Sequence, residues 1–230
     1  MDTPSDSSAL RIEAPVSGGL EGPRSGGAAD RPDVWRGGGF VPPGSQVLAT
    51  GFRELDARLP GGGWPLGALT EILTPAPGGI GGLAPLLPAL ARLSRERRWL
   101  AWVAPPYAPY APALAACGVA VNRVLLVRPR SAGDGLWALE QVLGAGACSA
   151  ALAWPAAAGM NVLRRLQLAA ERSGTWGVLF RLLHAAREPS PAVLRLRVEP
   201  VPDGIRLHLL KRRGRGAGAP VHLPHPSACG

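Results

Sequence analysis

Short apolar runs alternate with stretches of helical period through the middle of the chain. Five runs read as strands: "GALTEIL" (67–73), "WLAWVA" (99–104), "RVLLVRP" (123–129), "CSAALAW" (148–154) and "TWGVLFRLL" (175–183). They run from six to nine residues, as buried strands do, and are bounded by Gly, Pro or a change of period. Between them lie predicted helices. "LAPLLPALARLSRERR" (83–98) places Pro85 in a first turn, where a missing N–H is tolerated, and Pro88 where it should kink the helix. "APYAPALAACG" (108–118) is short and ends at Gly118. "AGDGLWALEQVLGAG" (132–146) sets Leu136, Leu139, Val142 and Leu143 on one side. "NVLRRLQLAAERSG" (161–174) turns Leu163, Leu166 and Ala170 inward and its arginines outward. Upstream, "TGFRELDARLPGG" predicts a short helix with Thr50 as N-cap, Glu54 in its first turn, and Leu55 and Leu59 on one face.

Apolar strands alternating with helices predict an α/β domain: a mostly parallel β-sheet flanked by helices. Near residue 190 the period changes. In "PAVLRLRVEPVPDGIRLHLLKRRG", Leu194, Leu196 and Val198, then Ile205, Leu207 and Leu209, alternate with polar residues around the turn "PDG". This predicts a C-terminal antiparallel hairpin with one face buried and an arginine-studded face outward. Residues 1–33 are rich in Ser, Gly, Pro and Asp and are expected to form a disordered leader, with the α/β domain over 34–213 and a flexible tail over 214–230.

Composition narrows the function classes. Hydrophobic residues make up 47 % of the 230, enough for one sizeable core. The net charge is +9, and 24 of the 25 basic residues are Arg, the exception being Lys211. With so much Ala, Gly and Pro, that bias reflects base composition more than a ligand, though a basic surface suits nucleic acid or an acidic protein. The N-terminus has no apolar secretory core. The most apolar stretch is broken by Pro105, Pro106, Pro109 and Pro112, so no membrane span is expected, and the cytoplasm is the expected location. Cys117, Cys148 and Cys229 form no C-x-x-C pair, which fits a reducing compartment. His222, His225 and Cys229 lie near one another in sequence but lack a fourth ligand, so no metal is expected.

In an open parallel sheet, ligands bind beyond the carboxyl ends of the strands. The first strand runs into "TPAPGGIGG", where a phosphate-binding loop would carry G-x-x-x-x-G-K-[ST]. Gly78 and Gly79 stand in place, but Ile80 and Gly81 occupy the positions of the lysine and the hydroxyl residue. The fourth strand offers Trp154 where a magnesium-holding carboxylate belongs. With cation, hydroxyl and carboxylate missing together, phosphoryl transfer has no support. No Ser–His or Cys–His pair at motif spacing and no paired carboxylates replace them, so neither catalysis nor a cofactor is expected. Lys211, Arg212, Arg213 and Arg215 at the end of the hairpin could meet phosphate backbone or an acidic protein surface, or form a solvated run. Deletion from residue 209 onward is expected to weaken binding more than it unfolds the core.

The segment "ATGFRELDARLPGGGWPLGALTEIL" resembles the approach to the phosphate loop in the RecA family. Glu71, Ile72, Pro75 and Gly79 match in register. Pro106 falls at that family's water-orienting glutamate and Trp154 at its magnesium-binding aspartate. The segments "LLVRP", "WALEQ", "RRLQLAAE" and "LKRRG" are similar to ImuA, a RecA-like family with degenerate ATPase motifs. That resemblance implies a RecA-like fold and a non-catalytic accessory role in SOS-induced mutagenic translesion DNA synthesis. The implied partners are an ImuB-type inactive Y-family polymerase and RecA, an error-prone C-family polymerase indirectly, and DNA. Two alternatives stay open. One is a SulA-like inhibitor of cell division, another degenerate relative of RecA, which caps a tubulin-like division protein but is usually shorter and lacks the extended hairpin. The other is a weak DNA-dependent ATPase.

Overall fold

The computed structural model describes residues 46–76, 81–212 and 219–224. The expected leader and the glycines Gly78 and Gly79 lie outside the described residues. Strands β1 (Val47–Leu48) and β2 (Trp64–Pro65) form a small antiparallel ribbon. Between them sits α1 (Arg53–Asp56), preceded by Phe52 in extended conformation. Thr50 is therefore not the N-cap. Its hydroxyl accepts from the Phe52 N–H at 3.0 Å, and its own N–H donates to Asp56 Oδ1 at 2.8 Å, a side-chain-stabilised turn just upstream of the helix.

The main sheet has eight strands: β3 (Leu69–Thr74), β4 (Trp99–Val103), β5 (Val124–Val127), β6 (Cys148–Ala153), β7 (Trp176–Leu182), β8 (Leu194–Val201), β9 (Gly204–Arg212) and β10 (Val221–Pro224). Their spatial order is β10-β9-β8-β3-β7-β6-β4-β5. Strand β3 pairs in parallel with both β7 and β8, and β4 pairs in parallel with β5 and β6. Strand β9 is antiparallel to β8 and to β10.

The expected RecA-like, mostly parallel sheet flanked by helices is corrected to a mixed sheet with unequal cover. The hairpin is not an appendage. Strand β8 docks in parallel against β3 and carries β9 and β10 with it, so the antiparallel ribbon extends the same sheet. Val221 and Leu223 of β10 are buried, so the stretch read as a tail contributes an edge strand. The turn into β9 needs a glycine. Gly204 has φ +156°, and a Cβ there would meet the Leu223 carbonyl oxygen at 2.1 Å.

Helical cover differs between the two faces. On one face, α4 (Ala132–Gly144) and α5 (Met160–Ser173) press Leu139, Leu143, Leu163 and Leu166 onto small strand residues such as Ala101 and Ala151. On the other face the short helices α1, α2 (Leu87–Leu93) and α3 (Ala111–Ala116) and 3-10 turns pack, together with the buried Trp64. Prolines explain the short helices. Ala84–Leu86 forms a 3-10 turn containing Pro85, and α2 starts only at Leu87, so Pro88 falls in its first turn and no kink is required.

Two polar contacts fix the frame. Gln167 on α5 accepts from the Leu69 N–H at 2.9 Å, supplying a partner to the first amide of β3. Trp176 donates to Thr70 Oγ1 at 3.0 Å while stacking on Trp64, with centroids 5.4 Å apart.

Candidate functional site

Parallel pairing brings the carboxyl ends of β3, β4, β5, β6 and β7 to one edge of the sheet. Gly78, Gly79 and Ile80 lie outside the described residues there, and Gly81 follows with φ +80°. A cavity of about 230 Å³ adjoins Gly81, lined by Phe52, Pro85, Pro88, Ile205 and Leu223 among others. Side chains of this kind offer nothing to neutralise a phosphate.

At the end of β6, Trp154 stacks face to face on Phe180 of β7, with centroids 4.5 Å apart and rings 5° from parallel. Trp102 of β4 lies 5.7 Å away on its other flank. An aromatic stack thus fills the space at the end of β6. Trp154 also lines a second cavity, about 290 Å³, between the ends of β4 and β6 and the start of α4. Ala104 lies in that wall with φ +52°, a strained backbone for a residue with a Cβ. Ser131 caps α4 by accepting from the Asp134 N–H at 3.1 Å. Pro106 is exposed in the loop that leaves β4.

Among the described residues, a charged cluster lies buried within the sheet. Glu71, in the middle of β3, is fully buried. Its Oε2 accepts from Arg195 Nε at 2.6 Å, and its Oε1 from Arg181 Nη1 at 3.2 Å and Ser190 Oγ at 2.7 Å. Arg195 also donates to the carbonyls of Ala185 and Glu188, at 2.6 and 3.0 Å, and Arg181 meets Glu188 Oε2 at 2.6 Å. The cluster ties β3, β7 and β8 to the turn Leu183–Arg187. Here the expected outward face of the hairpin is corrected: register sets Arg195 opposite Glu71, so Arg195 turns inward to a carboxylate. A glutamate inside an otherwise apolar strand was the available signal, because a buried carboxylate requires cationic partners.

The predicted basic cluster is only partly described. Lys211 Nζ donates to the Ser190 carbonyl at 2.7 Å, linking β9 to the loop that serves Glu71. Arg212 ends β9, and Arg213 and Arg215 lie outside the described residues. Leu209 is buried and pairs with Leu196, so a truncation from 209 cuts into the core as well as removing charge. Of the metal candidates, His222 meets Asp203 at 3.2 Å, while His225 and Cys229 lie outside the described residues. Among the described residues no group of three His, Cys, Asp or Glu could hold a metal ion, and no helix is long and apolar enough to cross a membrane. Burial pushes the Cys148 thiol up, with Arg98 opposing the shift, so this sulfur stays a protonated core group.

On the hairpin, Glu199 Oε2 lies 2.7 Å from His208 Nε2. That hydrogen bond, aided by Arg206 and Arg197, holds its carboxyl below the ordinary value of 4.5, against a smaller desolvation effect. A depressed carboxylate stabilises the fold above its unfolded pKa and loses that contribution as pH falls through the folded value. Glu199→Gln should therefore trail the wild type at neutral pH and converge with it in the acid range. Urea midpoints measured on both sides of pH 4.5 check this; a constant gap across that range would exclude it.

Comparison with known proteins turns the functional reading. A family profile described as "Cell division inhibitor SulA" matches residues 74–177, just under half of the chain, from the end of β3 into β7. The solved structure of SulA from Pseudomonas aeruginosa is 24 % identical, covers 49 % of this chain and 97 % of its own, and superposes with a TM-score of 0.42. No curated protein matches. The resemblance to ImuA is corrected by the family match. Its motifs "LLVRP", "WALEQ" and "RRLQLAAE" are a strand end and parts of two helices inside the matched segment. The expected partners fall with it: an ImuB-type polymerase, RecA, a C-family polymerase and DNA have no support. The match favours the alternative, a SulA-like SOS inhibitor of cell division.

Proposed function

We propose that this chain is a non-catalytic inhibitor of bacterial cell division, made in response to DNA damage and acting in the cytoplasm on a tubulin-like division protein. The observation that carries the reading is the profile match over residues 74–177, which contains β4, β5 and β6 and all of α2 to α5. Two features support a role without chemistry. Trp154 and Phe180 fill the sheet edge with stacked rings, and the surroundings of Gly81 are apolar. A protein of this kind acts through a surface, by occupying the partner's assembly face.

The direct biochemical test is assembly of the tubulin-like division protein from the same bacterium, followed by light scattering after addition of GTP. Addition of this chain at roughly equimolar concentration should suppress the signal, as a capping partner does by mass action. Undiminished assembly at a severalfold excess would exclude the reading.

A further inference from the structure

Strand β5 ends the main sheet, and among the described residues no strand pairs with its outer edge. Its inner side is committed to β4: the Val127 carbonyl accepts from the Ala104 N–H at 2.9 Å. Alternation along the strand then directs the N–H and C=O of Leu126 outward, together with the Val124 carbonyl. The side chains here are unusual for a free edge. Leu125 and Leu126 are 44 % and 36 % exposed, on opposite faces of the same short strand. Natural edges are usually blunted by charge, a bulge or a covering segment. Here the apolar pair stays open and the charges stand at the ends. Arg123 precedes the strand, and the exposed Arg128 and Arg130 follow it. No Asp or Glu occurs between Glu96 and Asp134.

We propose that the outer edge of β5 takes an extended, apolar segment of the partner, flanked by acidic residues, as an added strand. This rests on the reading of the partner as the division protein. Main-chain bonds to Leu126 would supply register, Leu125 and Leu126 would supply contact, and the arginines would select carboxylates on either side. A second copy of this chain is the poorer occupant. Antiparallel self-pairing centred on Leu126 sets Arg123 of one copy opposite Pro129 of the other, between Arg128 and Arg130, so like charge collects at both ends of the pair.

Two variants test the edge with the full chain and the purified division protein as probe. Leu126→Pro removes an outward N–H and leaves the inner ladder intact, which an edge strand tolerates. Arg128→Glu with Arg130→Glu reverses the flanking charge without touching the strand. Thermal melts confirm folding of each, and affinity is read at about 50 and about 300 mM KCl, where screening of exposed charges differs. Each variant should lose about tenfold or more in affinity, as removal of central contacts does. The charge-reversed variant should also lose most of the wild type's salt sensitivity. If the wild type binds and both folded variants bind equally well, the edge is overturned while the division-inhibitor reading stands. If the wild type itself does not bind, that reading falls and the edge proposal with it. If Leu126→Pro converts a dimer to a monomer on sedimentation and leaves partner binding intact, the edge pairs two copies and the proposal is wrong.

Discussion

Glu71→Ala should cost about 3–5 kcal/mol of unfolding free energy at neutral pH, the range for breaking a buried ion pair from one side. Glu71 is fully buried, and Arg181 and Arg195 are each 6 % exposed. After the substitution Arg181 keeps the Glu188 carboxylate at 2.6 Å, but Arg195 keeps only backbone carbonyls. A guanidinium surrounded by carbonyl dipoles without a counter-charge is the costly product. Glu71→Gln would retain the shape yet direct an amide N–H₂ at a cation, so it should recover little. A chain carrying leucine at 71, 181 and 195 together should recover much of the loss, because replacing a whole buried ionic cluster with apolar side chains is often neutral. Urea unfolding of the three variants distinguishes these outcomes. A loss under about 1 kcal/mol for Glu71→Ala would match an exposed pair instead, and would show that water reaches the cluster.

Trp154→Ala carries the second large effect. Truncating a core aromatic costs about 3–5 kcal/mol, and the partial exposure of Trp154 puts it at the lower end. The lost contacts are the stack on Phe180 and the tilted contact with Trp102. Trp154→Asp is the more instructive change, because it places a carboxylate at the end of β6 in exchange for a stacked ring. It should destabilise at least as much, placing a charge against Phe180, and should confer no affinity for Mg-ATP by equilibrium dialysis. Nucleotide binding by this variant would mean that one residue separates the edge from a working phosphate site.

Much of the frame was legible in the sequence because hydrophobic period is a local property. The strands predicted at 148–154 and 175–183 correspond to β6 at Cys148–Ala153 and β7 at Trp176–Leu182, and the helix predicted at 132–146 to α4 at Ala132–Gly144. What failed depended on neighbours far along the chain. Arg195 reads as an outward residue of an alternating strand until β8 is known to lie beside β3, with Glu71 in register. Val221 and Leu223 read as tail residues because a four-residue strand is visible only through its pairing with β9. Helix α2 is shorter than the periodicity over 83–98 predicts, because Pro88 sits in its first turn and Ser94 caps its end.

The edge of the sheet was not legible in the sequence as a surface. An edge strand is identified by its place in the sheet order, and "RVLLVRP" looks like any buried strand until β5 is seen at the margin. Three of the segments that resemble ImuA are short pieces of a strand end and two helices, whereas the matched profile spans residues 74–177 as a whole.

Inhibition of division by this chain is the activity proposed above. It is tested most directly by inducing the chain in bacteria whose DNA is undamaged and measuring cell length by microscopy over several generations. Cells should grow into filaments with unseparated, regularly spaced nucleoids, and Arg128→Glu with Arg130→Glu should restore normal length. Cells of ordinary length at protein levels equal to or above those of the division protein would contradict the claim.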